Sequence, residues 1–129
     1  MDRLDWDTYF MNIAQVVATR STCPRASVGA VIVRNNKIIS TGYNGAPPGE
    51  SHCDKAGCLM INDHCERTVH AETNAIIHAE RSVQNATMYI WSKRFHTETP
   101  YDGDAGASVG PCIKCRQVMQ AAGIIRVVT

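Results

Sequence analysis

Two short runs, His70-Ala71-Glu72 and Pro111-Cys112-Ile113-Lys114-Cys115, carry the residue types and spacing of a metal centre. Cysteines at i and i+3 of a helix share one face, so Cys112 and Cys115 can reach a single ion. A helix N-terminus also favours thiolate over thiol. Zinc takes sulfur and nitrogen ligands in a tetrahedron, so His70, Cys112 and Cys115 fill three positions and leave the fourth for water. That open position distinguishes a catalytic site from a structural one. Glu72, two residues beyond His70, is placed to take a proton from that water without ligating the metal. The competing reading is a structural zinc knuckle, with Glu72 only a carboxylate favoured at a helix N-terminus.

The rest of the composition bounds what such a centre can serve. The chain has 129 residues, 44% apolar and 19% charged, with a net charge of +1. That length predicts a single domain over 1–129. No run of about 18 apolar residues exists to span a membrane. Met1-Asp2-Arg3-Leu4-Asp5 lacks the basic-then-apolar order of a signal peptide, which makes a cytoplasmic location the expectation. Without a long basic run, composition argues against gripping long nucleic acid through its phosphates, though not against one nucleotide. Six cysteines beside five histidines read in a cytosolic chain as thiolates for metal rather than as disulfides.

The elements that must position these residues follow from periodicity. Residues 5–19 predict an amphipathic helix with Trp6, Phe10, Ile13 and Val17 on one face, ended by Ser21-Thr22-Cys23-Pro24. Val28-Gly29-Ala30-Val31-Ile32-Val33 predicts a buried strand, turned at Arg34-Asn35-Asn36-Lys37 into a second strand over 37–41. Residues 42–49 (Gly-Tyr-Asn-Gly-Ala-Pro-Pro-Gly) predict a loop, and 50–69 a polar, loop-like stretch. A helix is expected over about 70–82, with Ala71, Ala75, Ile76 and Ala79 on its buried side. A strand over 87–91, a loop over 92–110, a helix over about 112–122 stopping before Gly123, and a last strand over 124–128 complete the order. The order αββαβαβ predicts an α/β sandwich, one mixed sheet flanked by helices.

His-x-Glu opening one helix and Pro-Cys-x-x-Cys opening the next is a signature of zinc nucleobase deaminases. His70-Ala71-Glu72-Thr73-Asn74-Ala75-Ile76 and 111–115 resemble the cytidine deaminase superfamily. Val28-Gly29-Ala30-Val31-Ile32, then Ser40-Thr41-Gly42-Tyr43-Asn44-Gly45, resembles its deoxycytidylate (dCMP) deaminase branch. So does the segment from His52-Cys53-Asp54 to Cys65-Glu66-Arg67-Thr68-Val69. The resemblance implies a cytidine-deaminase-like αβα sandwich and hydrolytic deamination of dCMP to dUMP, with Zn2+ as cofactor and Glu72 as proton shuttle.

The resemblance also implies that Asn44 contacts the sugar or base; an Asn-Gly turn residue in the left-handed region is the competing reading. The turn at 21–27, with Arg25 and Ser27, would lie near the 5′-phosphate, where an arginine is well suited; a solvated surface arginine is the alternative. Ala71 would line the base pocket. Members of the family often assemble as hexamers and respond to dCTP and dTTP, which implies a homo-oligomer, with Arg81, Tyr43 and Gly45 candidates for control or interface. A second, structural zinc is implied at Cys23 and Cys53. Cys58 and Cys65 could complete it, with His52 or His64 as substitutes; the alternative is several free thiols.

Two features depart from the family pattern. The stretch Trp91 to Gly110 is longer than the usual short passage to the cysteine motif; it is expected to be a lid, a substrate-selecting loop or a surface excursion. The chain also stops at Thr129, directly after a strand, where relatives generally continue. Deamination of another nucleobase compound (dCTP, a modified deoxycytidylate, a free base or tRNA adenosine) is the alternative within enzymes. A catalytically inactive zinc-stabilised regulatory module is the alternative outside them; Glu72 argues against it, since a structural zinc needs no proton carrier.

Overall fold

The computed structural model describes residues 2–52, 60–61, 64–65, 69–94 and 113–129. The expectations resting on Cys53, Cys58, Cys112, 95–110 and the side chains of His64 and Cys65 lie outside the described residues.

Helix α1 (Trp6–Ala18) starts at Asp5, whose carboxylate accepts from the Thr8 N–H at 3.1 Å and the Thr8 hydroxyl at 2.6 Å, a side-chain N-cap. Its deepest residues are Phe10, Ala14 and Ala18, whereas Trp6 of the expected stripe is 48% exposed and Ile13 and Val17 only flank the core. Small residues win because the helix lies directly on the sheet. A Cβ built on Gly29 would fall 2.0 Å from the Ala14 carbonyl oxygen.

Strands β1 (Ala26–Arg34) and β2 (Lys37–Tyr43) form the expected hairpin. Asn35 and Asn36 adopt φ of 53° and 59°, the paired left-handed conformation of a two-residue hairpin turn. Strand β2 runs past the expected boundary, pairing Gly42 with Ala30 and Tyr43 with Gly29. Two further strands, β3 (Met60–Ile61) and β4 (His64–Cys65), form a two-residue antiparallel ladder where only loop was expected. Then follow α2 (Ala71–His78), β5 (Thr87–Arg94), α3 (Ile113–Ala122) and β6 (Arg126–Val128).

The four longer-range strands make one mixed sheet in the order β2-β1-β5-β6, antiparallel except for the parallel β5–β6 pair. Period-two alternation divides its two faces. Val31, Val33 and Tyr89 pack with Phe10 and Ala14 of α1. Ala30, Ile32, Met88 and Ile90 pack with Ala71 and Ala75 of α2 and with Cys115 and Met119 of α3. Helices on both faces of a mixed sheet are the expected architecture. Helix α3 closes with Gly123 at φ 93°. There the Ile124 N–H bonds the Met119 carbonyl at 3.0 Å and the Gly123 N–H that of Gln120 at 3.1 Å, a Schellman motif.

One polar network ties α1 to the β6 edge. The Asp7 carboxylate accepts from both Arg126 nitrogens, at 3.0 and 2.6 Å, and from the Tyr89 hydroxyl at 2.6 Å. The Arg126 hydrogen bonds first, and then that from Tyr89, hold its carboxyl below the usual range. A depressed folded pKa gives stability that is present above the unfolded value of about 4 and is lost as pH falls through the folded one. Asp7→Asn therefore should lower the melting temperature at neutral pH by a few degrees at most, the pair being exposed. The gap to wild type should close below about pH 4; a gap constant from pH 7 to pH 3 in thermal melts would contradict this.

Among the described residues, no helix is long and apolar enough to cross a membrane.

Candidate functional site

The site is assembled where two helix starts converge on one face of the sheet. Helix α2 approaches β2 so closely that a Cβ on Gly42 would lie 2.4 Å from the Ala75 nitrogen and 2.5 Å from the Ala71 oxygen. Three polar contacts fix this approach. The buried Ser40 hydroxyl donates to the Ala75 carbonyl at 2.7 Å. The Asn74 amide donates to the carbonyls of Tyr43 at 2.9 Å and Val69 at 3.3 Å. Gly45 and Val69 exchange backbone hydrogen bonds at 3.2 and 2.9 Å.

These contacts settle where His70 stands. It is the N-cap of α2, extended at φ −67° and ψ 151°, rather than its first helical residue, and its ring makes no capping bond. The imidazole instead meets α3. Its Nδ1 lies 3.2 Å from the Sγ of Cys115, which is 3% exposed in the first turns of that helix. Glu72, 5% exposed, sits in the first turn of α2, where the helix dipole favours a carboxylate. Ligand atoms of His70, Glu72 and Cys115 all lie within 4.8 Å of one another.

That donor set fits zinc. Bond lengths of about 2.0 Å to nitrogen and 2.3 Å to sulfur put two tetrahedral ligands about 3.5 Å apart, close to the observed 3.2 Å. The structure thus brings together three of the four residues singled out in the sequence; the fourth, Cys112, lies outside the described residues. It adds three that the sequence did not single out, beginning with Thr73. The Thr73 hydroxyl is 3.9 Å from the Cys115 sulfur. Ser40 and Asn74 were overlooked as well, although Asn74 lies within the His70–Ile76 run and Ser40 alternates inward with Gly42.

The other expected residues are placed as follows. Asn44 is buried, 6% exposed, with Oδ1 accepting from the Val28 N–H at 3.0 Å and Nδ2 donating to the Ala26 carbonyl at 2.9 Å. Its amide thereby extends the β1–β2 ladder. The left-handed reading of Asn44 does not hold, since positive φ at non-glycine residues is found at Asn35, Asn36 and Asn85 among the described residues. Arg25 is half-buried in a bend just before β1, and Ser27 lies within that strand, opposite Lys93. The Ser21 hydroxyl donates to the Ala26 carbonyl at 3.1 Å, so the turn carrying Arg25 is braced from two sides. Ala71 is fully buried in the core.

Cys23 is half-buried, and no second cluster of three or more metal-ligating side chains occurs among the described residues. His52 has its Nδ1 beside the Thr22 hydroxyl at 2.9 Å and the Ala46 N–H at 3.2 Å. Tyr43 and Gly45 serve the contacts that hold α2. Arg81, expected within that helix, is exposed beyond its end.

The family model described as the cytidine and deoxycytidylate deaminase zinc-binding region matches residues 4–129. ComE operon protein 2 of Bacillus subtilis is 43% identical over 127 residues, 96% of this chain and 58% of that protein. A deoxycytidylate deaminase of a Mycobacterium phage is 35% identical over 140 residues, 99% of this chain and 96% of its own. The chain therefore spans little more than half of the Bacillus protein and nearly all of the phage one. The crystal structure of dCMP deaminase from the cyanophage S-TIM5, in complex with dCMP and dUMP, matches with a TM-score of 0.72 at 23% identity. That match covers 98% of this chain and 82% of the other, and the likeness is one of fold.

Proposed function

We propose that this chain, which belongs to the cytidine and deoxycytidylate deaminase zinc-binding family, hydrolyses dCMP to dUMP and ammonia. The observation that carries the reading is the convergence of His70, Glu72 and Cys115 within 4.8 Å at two helix starts. Support for the substrate comes from the phage deoxycytidylate deaminase, matched over nearly its whole length.

His70 and Cys115, with Cys112, would hold the zinc. When bound, zinc lowers the pKa of a water toward neutrality. The chain's own contribution to the chemistry is Glu72. Its carboxylate takes a proton from the attacking water and delivers one to the ring nitrogen N3. It later carries one to the amino group, which leaves as ammonia when the bond to C4 breaks. Burial keeps Glu72 out of bulk water.

Around this centre Asn44 acts on the substrate end by bracing β1 at Ala26 and Val28, with Arg25 and Ser27 presented to the 5′-phosphate and Ala71 closing the base side. Cys23 is available to a structural zinc with Cys53. Homo-oligomeric assembly and control by dCTP and dTTP through Arg81, Tyr43 and Gly45 belong to the same reading.

Ammonia release measured side by side on dCMP, dCTP, deoxycytidine, cytosine and adenosine, with zinc supplied, tests the substrate. Turnover of dCMP should exceed the others. Arg25→Ala should raise KM for dCMP by roughly 10-fold, the scale of one charge-assisted hydrogen bond, and leave deoxycytidine unaffected. Faster turnover of any other compound would overturn the assignment to dCMP.

A further inference from the structure

The mechanism above leaves the second residue after Ala71 unassigned. Thr73 lies in the first turn of α2, half-buried, with its hydroxyl 3.9 Å from the Sγ of Cys115. Cys115 is 3% exposed and sits in an apolar cluster with Ala71, Ala75 and Met119. A thiolate there has little access to water, and buried charge needs hydrogen-bond donors as well as a counter-ion. A metal-bound thiol is deprotonated and can only accept, so with zinc bound the hydroxyl would be the donor in this contact.

We propose that Thr73 is a positioning residue for the metal centre. It donates a hydrogen bond to the Cys115 thiolate, fixing the sulfur towards His70 and withdrawing charge from it. The proposal rests on the zinc reading of His70 and Cys115, not on the identity of the substrate. It accounts for a hydroxyl at a position where the helix alone has no need of one. Partners of this kind, one step removed from the metal, typically alter affinity by 10–100-fold. A sulfur that keeps its full electron density would also quench the acidity the metal confers on water.

The test compares wild type, Thr73→Val and Thr73→Ser. Valine keeps the branched shape and removes the donor; serine keeps the donor. Zinc affinity is measured by chelator competition, and the cobalt(II)-substituted protein is examined for its sulfur-to-metal charge-transfer band. In Thr73→Val, zinc affinity should fall roughly 10-fold or more. The band should move to longer wavelength, because sulfur lone pairs lose the stabilisation of the hydrogen bond. Thr73→Ser should stay near wild type in both, and the melting temperature of the metal-free protein should be similar in all three. A valine variant with wild-type affinity and an unmoved band would overturn the proposal, as would a wild-type chain that binds neither metal. A wild type that binds cobalt but does not turn over dCMP would refute the substrate assignment alone, and the band comparison would still decide the role of Thr73.

Discussion

Glu72→Gln should keep the fold and the zinc and lose at least about 100-fold in the rate of ammonia release. Glutamine preserves the length, planarity and one acceptor oxygen of the side chain, so packing around a group only 5% exposed is undisturbed. What it lacks is the capacity to bind and release a proton. Glu72 lies close enough to His70 and Cys115 to be a ligand itself, which gives the substitution a second use. Were the carboxylate a fourth ligand closing a structural site, its loss would weaken zinc binding and there would be no activity to lose. Were it a proton carrier, stoichiometry would stay at wild type and only the rate would fall. Metal analysis and ammonia release on the same preparation separate the two, and near-normal turnover with zinc retained would refute the proton-carrier role.

The centre was legible because its residues sit at fixed offsets along local elements. His70 and Glu72 flank one helix start and Cys115 lies in the first turns of the next helix, so local spacing brings these three to two defined places. The first strand was legible for a similar reason: the β-branched apolar run 28–33 reads as a strand buried on both faces, and Val31 and Val33 do pack on one side and Ala30 and Ile32 on the other. Features that depend on contact between distant segments were not legible. Nothing near Ala79 marks the end of α2, with no glycine or proline to stop it, and the helix ends four residues before the expected 82. The left-handed alternative for Asn44 rests on its neighbour Gly45, whereas its side chain is held by hydrogen bonds to residues 16 and 18 positions earlier. Likewise the apolar periodicity of α1 points to Trp6, Phe10, Ile13 and Val17, although the close approach at Gly29 selects small Ala14 and Ala18 beside Phe10.

Those glycine contacts yield the second large effect: Gly42→Ala should destabilise the fold and weaken the metal centre together. The β2 backbone at Gly42 is extended, so the requirement is close approach rather than a left-handed φ. A methyl there would lie 2.4 Å from the Ala75 nitrogen, 2.5 Å from the Ala71 oxygen and 2.9 Å from the Ala75 Cα. All three are backbone atoms, which cannot swing aside as a flexible side chain would. Relief requires α2 to move off the sheet, at a cost on the scale of overpacking, about 1–3 kcal/mol or more. It also strains the Ser40–Ala75 and Asn74–Tyr43 hydrogen bonds. Since α2 carries His70 and Glu72 while α3 carries Cys115, a displaced α2 misaligns one half of the site against the other. Gly29→Ala supplies the control. Its methyl would meet α1 even more closely, 2.0 Å from the Ala14 oxygen, but on the opposite face of the sheet. Both variants should melt at lower temperature, yet only Gly42→Ala should show weaker zinc binding and reduced turnover measured well below its melting point. Equal loss of zinc affinity in both would mean that the site follows global stability and not the seating of α2 on β2.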